Sequence, residues 1–103
     1  MRTPTSFNIS GENYEKCIQL VESGEFNSVS EVIAYAMRFC SESLRQKESE
    51  APIPKARKDV VKISMRVDNF VADSLDSTGY FERPMMADQC ILFYMKWREG
   101  FKN

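Results

Sequence analysis

The chain has 103 residues, of which 43% are hydrophobic and 28% charged, the make-up of one compact domain or two very small modules and too little chain for a large enzyme. Fourteen Lys and Arg stand against fifteen Asp and Glu, so the total charge neither announces nor excludes a nucleic-acid partner, because local charge can depart from the sum. Histidine is absent and Cys17, Cys40 and Cys90 lie far apart with no CxxC pair, which speaks against a zinc finger, a disulfide framework and most hydrolases, and leaves reduced core thiols as the plain reading.

The first predicted element is a short strand. In Pro4-Thr5-Ser6-Phe7-Asn8-Ile9, Phe7 and Ile9 point one way while Ser6 and Asn8 point the other. Ser10 then offers an N-cap for a helix, GENYEKCIQLVES, whose Tyr14, Cys17, Ile18 and Val21 fall on one face. Gly24 is placed to end it. Ser28 caps a second, longer helix at capping-box spacing from Glu31, with Val32, Ile33, Ala36, Met37, Cys40 and Leu44 as its apolar stripe.

Residues 46–59, QKESEAPIPKARKD, break the pattern. Pro52 and Pro54 cannot continue a helix, and Ile53 is the one large apolar side chain, so this stretch is expected to be a linker. The order then returns. Val61, Ile63, Met65 and Val67 alternate with Lys62, Ser64 and Arg66. Asp68 caps a shorter helix, NFVADSLDS, expected to bury Phe70, Val71 and Leu75, and Gly79 ends it. Pro84 suits the first turn of a last helix with Met86, Ala87, Cys90, Ile91 and Tyr94 as its inner stripe. Phe93, Trp97 and Phe101 line a second face of that helix, read as core or partner packing and so as a sign of possible self-association.

Each half therefore reads strand–helix–helix. An isolated strand has no hydrogen-bonding partner, so the two strands are expected to pair as an antiparallel ribbon. The predicted fold is mainly α with a short antiparallel β-ribbon. It is divided into a first unit (1–45), a linker (46–59) and a second unit (60–103), paired within one chain or by strand exchange between two. Fourteen linker residues reach about 46 Å, which suits either arrangement.

The residues SFNI, LVESGEF and NSVSEVIAYAMRF, repeated more loosely as KISMRV and Gly79-Tyr80-Phe81, resemble the ribbon-helix-helix (Arc/MetJ-type) DNA-binding family. The resemblance covers about residues 4–45 and 60–98 and departs at Arg83-Pro84-Met85-Met86, where the family has a Ser-x-Ser-Glu start. It implies a ribbon that enters the major groove of double-stranded DNA and reads base edges with its outward side chains. Carried over by position, these are Ser6 and Asn8, with Pro4 outermost, and Lys62, Ser64 and Arg66. Their chemistry suits base reading, since Arg and Lys pair with guanine, Asn pairs with adenine, and Ser donates or accepts. The resemblance also implies phosphate binding at the start of each second helix, at Ser28, Val29 and Ser30 and at Arg83 and Met85.

Lys55, Arg57 and Lys58 lead into the second strand and form a basic arm suited to backbone phosphates, or else a solvated linker. Lys62, Ser64 and Arg66 also fit the solvated face of a strand, but the doubled pattern favours DNA contact. The function expected is therefore sequence-specific DNA binding by a transcriptional regulator or repressor. The alternative is a protein-interaction module, antitoxin-like or an accessory factor in DNA processing. No catalytic set, metal, cofactor or small-molecule substrate is implied. With no apolar run near the roughly 20 residues of a membrane span, and no apolar core in MRTPTSFNIS for a signal peptide, a cytoplasmic location is expected.

Overall fold

A computed structural model describes residues 2–45, 60–77, 79, 81 and 83–101, with the backbone alone for Arg2, Thr3, Leu44, Arg45, Arg83 and Phe101. Its elements run β1 (Arg2–Ser10), α1 (Gly11–Glu22), α2 (Val29–Arg45), β2 (Val60–Asp68), α3 (Asn69–Ser77), a 3-10 turn (Arg83–Met85) and α4 (Met86–Phe101). β1 and β2 form one antiparallel two-stranded sheet, with Arg2 opposite Asp68, Ser6 opposite Ser64 and Ser10 opposite Val60.

The expected division into two tandem strand–helix–helix units is corrected by this arrangement. There is one sheet and one mostly helical body in the order β-α-α-β-α-α, with a single core drawn from both strands and all four helices. Neither half closes on itself, because a lone strand has no partner for its backbone hydrogen-bonding groups and a single apolar stripe on two helices encloses little volume. Strand exchange between chains is corrected as well, since the partner of β1 is β2 of the same chain. The predicted linker, 46–59, lies outside the described residues.

Local chemistry explains the element ends. The Asn13 N–H donates to Ser10 Oγ (3.3 Å), and the Glu31 N–H donates to Ser28 Oγ (3.2 Å), so both serines satisfy helix-start donors that have no acceptor within the helix. After α1 the chain turns at Gly24 with φ +87°, a left-handed conformation that a side chain would strain.

The core sits between the sheet and the packed pair α2 and α4. Val32, Ile33, Ala36, Met37 and Cys40 of α2 and Met86, Ala87, Cys90, Ile91 and Tyr94 of α4 are buried, the positions that helical spacing predicts, while the Leu44 side chain lies outside the described residues. Phe7, Ile9 and Val67 anchor the sheet, while Ile63 and Met65 are half-buried against the same core. Two faces differ from expectation. α1 buries Asn13, Cys17 and Leu20, turned slightly from the predicted face, so that Tyr14, Ile18 and Val21 are half-buried at its edge. Phe70 is 68% exposed. α3 turns Ala72 and Leu75 inward, and two residues before Ala72 is about 200° around the helix, which sends Phe70 outward.

Candidate nucleic-acid interface

Paired strands in this register place Pro4, Ser6 and Asn8 of β1 on the same face as Lys62, Ser64 and Arg66 of β2. The helices cover the other face. Pro4, Ser6, Lys62, Ser64 and Arg66 are exposed and Asn8 is half-exposed. At the centre, the Ser6 and Ser64 hydroxyls are 3.1 Å apart and hydrogen-bonded to each other. Asn8 lies opposite Lys62, and Pro4 opposite Arg66. The face is thus a narrow polar strip, uncharged from Pro4 to Asn8 and carrying two cations from Lys62 to Arg66, with Asp68 exposed at its end.

The starts of α2 and α4 differ. At α2, Ser28 is exposed and Val29 and Ser30 are half-exposed. The N–H groups of Val29 and Ser30 have no acceptor within the helix. At α4, the 3-10 turn Arg83–Met85 precedes the helix, and Pro84 carries no N–H to offer. The Arg83 side chain lies outside the described residues, as do Lys55, Arg57 and Lys58 of the expected basic arm.

Asp88, in the first turn of α4, is fully buried. Its Oδ1 accepts the Ser10 backbone N–H and the Asn13 Nδ2, both at 2.9 Å. This polar latch ties the β1–α1 junction to α4. Sequence reasoning missed it, because a polar side chain on a helix gives no local sign of a buried partner distant in sequence. It also affects the thiol of Cys17, which burial, first, and the charge of Asp88, second, push up to about 12. Cys90 is raised too, by burial and by its contact with the Cys40 thiol. These are core thiols without the electropositive setting a reactive cysteine needs.

On the α2 side no latch forms among the described residues. A groove of about 510 Å³ opens there, lined by Phe26, Ser30, Glu31, Arg38, Met65 and Arg66 among others. It continues into a smaller recess along Ala34, Arg38, Met65, Asp68 and Val71. Glu31 is held at the rim by the Asn27 amide, 3.4 Å away. Among the described residues, neither Arg38 nor Arg66 has an ion-pair or hydrogen-bond partner. Arg98 behaves differently. It forms a two-pronged ion pair with Glu25 (2.7 and 3.0 Å) and also donates to the Tyr94 hydroxyl (3.1 Å), contacts that raise its pKa.

Along the α2–α4 seam, Phe26, Tyr35, Tyr94, Phe39, Trp97 and Phe93 form a chain of ring contacts with centroids 4.8–6.2 Å apart. Tyr35 and Trp97 are nearly half exposed within it. Among the described residues no cluster of metal-ligating side chains forms, and no helix is long and apolar enough to cross a membrane. No protein-family model, curated protein or solved structure matches the chain.

Proposed function

We propose that the chain binds double-stranded DNA in a sequence-specific way, with the β1–β2 sheet inserted into the major groove, and acts as a transcriptional regulator by occupying its site. One observation carries this reading: Ser6, Asn8, Lys62, Ser64 and Arg66 share a single uncovered face in register, while the opposite face of the same two strands is packed on the core. Strands about 4.8 Å apart, with their side chains, make a blade that fits a groove about 12 Å wide. Lys62 and Arg66 supply donors for guanine, Asn8 supplies the paired donor and acceptor for adenine, and the serines accept or donate. The uncapped N–H groups of Val29 and Ser30 suit a backbone phosphate beside the blade. The resemblance of the strand and helix motifs to ribbon-helix-helix proteins supports the same reading.

A second reading, a protein-interaction module, is favoured by the partly exposed Tyr35 and Trp97 on the aromatic seam. Binding of the full chain to a mixed-sequence duplex, followed by fluorescence anisotropy across a salt series, separates the two. Phosphate contacts make affinity fall steeply with salt. Absence of binding at low salt would rule out the DNA reading and leave the interaction module. Site selection from random duplexes then tests the blade. The Lys62→Ala, Arg66→Ala double variant should lose discrimination between selected and random sites by about 100-fold, on the order of 1–3 kcal/mol for each lost contact. A double variant that discriminates as the parent does would remove the sheet as the reader.

A further inference from the structure

We infer that the groove between α2 and β2 seats the sugar-phosphate backbone of the duplex, that Arg38 is a phosphate ligand within it, and that among the described residues the other flank of the sheet has no equivalent seat. This deepens the DNA reading above and rests on it.

The groove is defined by more than a helix start. Arg38 comes from the middle of α2 and Arg66 from β2, and both side chains line the same open channel. Neither is engaged by a carboxylate among the described residues, in contrast to Arg98. A planar guanidinium without a carboxylate partner is well suited to a phosphate, which it can hold through two parallel N–H donors. The channel is also continuous with the proposed reading face, because Arg66 belongs to both. A backbone running beside a blade in the major groove passes at that edge.

The other flank shows why the described residues build this seat on one side. The buried stripe of α2, Val32-Ile33-Ala36-Met37-Cys40, matches that of α4, Met86-Ala87-Cys90-Ile91-Tyr94, position for position. In that match Arg38 corresponds to Leu92, and Ala34, which lines the groove, corresponds to Asp88. Across the centre of the sheet, Arg66 corresponds to Asn8. The flank that would mirror the groove is therefore filled by Asp88 bound to Ser10 and Asn13, and it has no guanidinium in these positions. Packing of the 3-10 turn and α4 onto β1 closes it further, whereas α2 touches β2 lightly.

Glu31 provides an internal control. Its carboxylate lines the groove and opposes an anion there. Removing Arg38 and neutralising Glu31 should therefore act in opposite directions.

The test uses the full chain and a fluorescein-labelled mixed-sequence duplex. Arg38→Ala should weaken binding by about fivefold at 0.1 M salt and lower the slope of log affinity against log salt by about 0.9, the loss of one phosphate contact. The loss should be equal on selected and random duplexes. Glu31→Gln should tighten binding, and Lys96→Ala, exposed on α4, should leave it unchanged. Phosphate-ethylation interference should be lopsided, strong on one side of the site and weak on the other. Binding by the parent with an unchanged slope in Arg38→Ala, or interference equal on both sides, would overturn this inference alone. No salt-dependent binding by the parent would overturn it together with the DNA reading.

Discussion

α2 and α4 carry the same buried stripe but meet the sheet in opposite ways. α2 starts with a serine cap, stands back from β2 and leaves a groove edged by Arg38 and Arg66. α4 starts behind a 3-10 turn, lies against β1 and sends a carboxylate into the gap to bind Ser10 and Asn13. The lesson is that repeated element order fixes the core without fixing the surface. Identical inward spacing supports an open flank edged by cations on one side and a sealed, purely structural flank on the other. The asymmetry extends to the strands, where Phe7 is fully buried and Met65, its counterpart across the sheet centre, is half-buried.

The strand difference gives the largest expected effect. Phe7→Ala should cost about 3–5 kcal/mol in urea unfolding, and Met65→Ala about 1–2 kcal/mol, because less area leaves water when Met65 folds. Equal losses would show that the two strands anchor the sheet alike. Asp88→Ala comes next, at about 2–4 kcal/mol, since the Ser10 N–H and the Asn13 amide lose their shared acceptor in a buried place. Asp88→Asn, which keeps a carbonyl acceptor, should recover part of that loss. If Asp88→Ala unfolds with the parent's midpoint, the latch is not what closes that flank.

Cys17 sharpens the comparison through pH. Its thiol is pushed up to about 12 in the folded chain, against about 8.5 for an unperturbed thiol. Between those values the unfolded chain releases the proton while the native chain keeps it. Its contribution is therefore complete below about pH 8.5 and is lost as pH climbs toward 12, at roughly 1.4 kcal/mol per unit at most. The urea midpoint should fall between about pH 8 and about pH 10.5, and Asp88→Asn should lessen the fall by removing the neighbouring charge. An alkaline-insensitive midpoint would contradict the burial of this thiol. The smallest effect belongs to Ser28→Ala, about 1 kcal/mol for a lost helix cap. The cap is exposed, so a loss several times larger would mean that the start of α2 is packed rather than open.

Much of the fold was legible. Ser10 and Ser28 as caps, Gly24 as the end of α1, the stripes of α2 and α4, and the inner positions of both strands follow from local chemistry and period. The tandem division was misread. Repetition of strand–helix–helix reports what each half contains, but it does not show that neither half can close without the other. Phe70 was misassigned because the outline of a short helix depends on which of two faces its neighbours cover. At the site, the alternation of Lys62, Ser64 and Arg66 was readable from period two. The groove and the latch were not. Each is made by residues distant in sequence, Asn13 with Asp88 and Arg38 with Arg66, and a polar residue at a buried position carries no periodic signal of its own.

The sheet brings together two unlike strands of one polypeptide. Where a reader is built from identical subunits, its site tends to be an inverted repeat. Here Pro4 stands beside Arg66 toward one end of the blade and Asn8 beside Lys62 toward the other, so under the proposed DNA reading, turning a duplex end for end would change which bases meet which side chains. A protein that reads DNA with such a blade points along it: its preferred sequence has a direction, and so does anything it positions on the duplex.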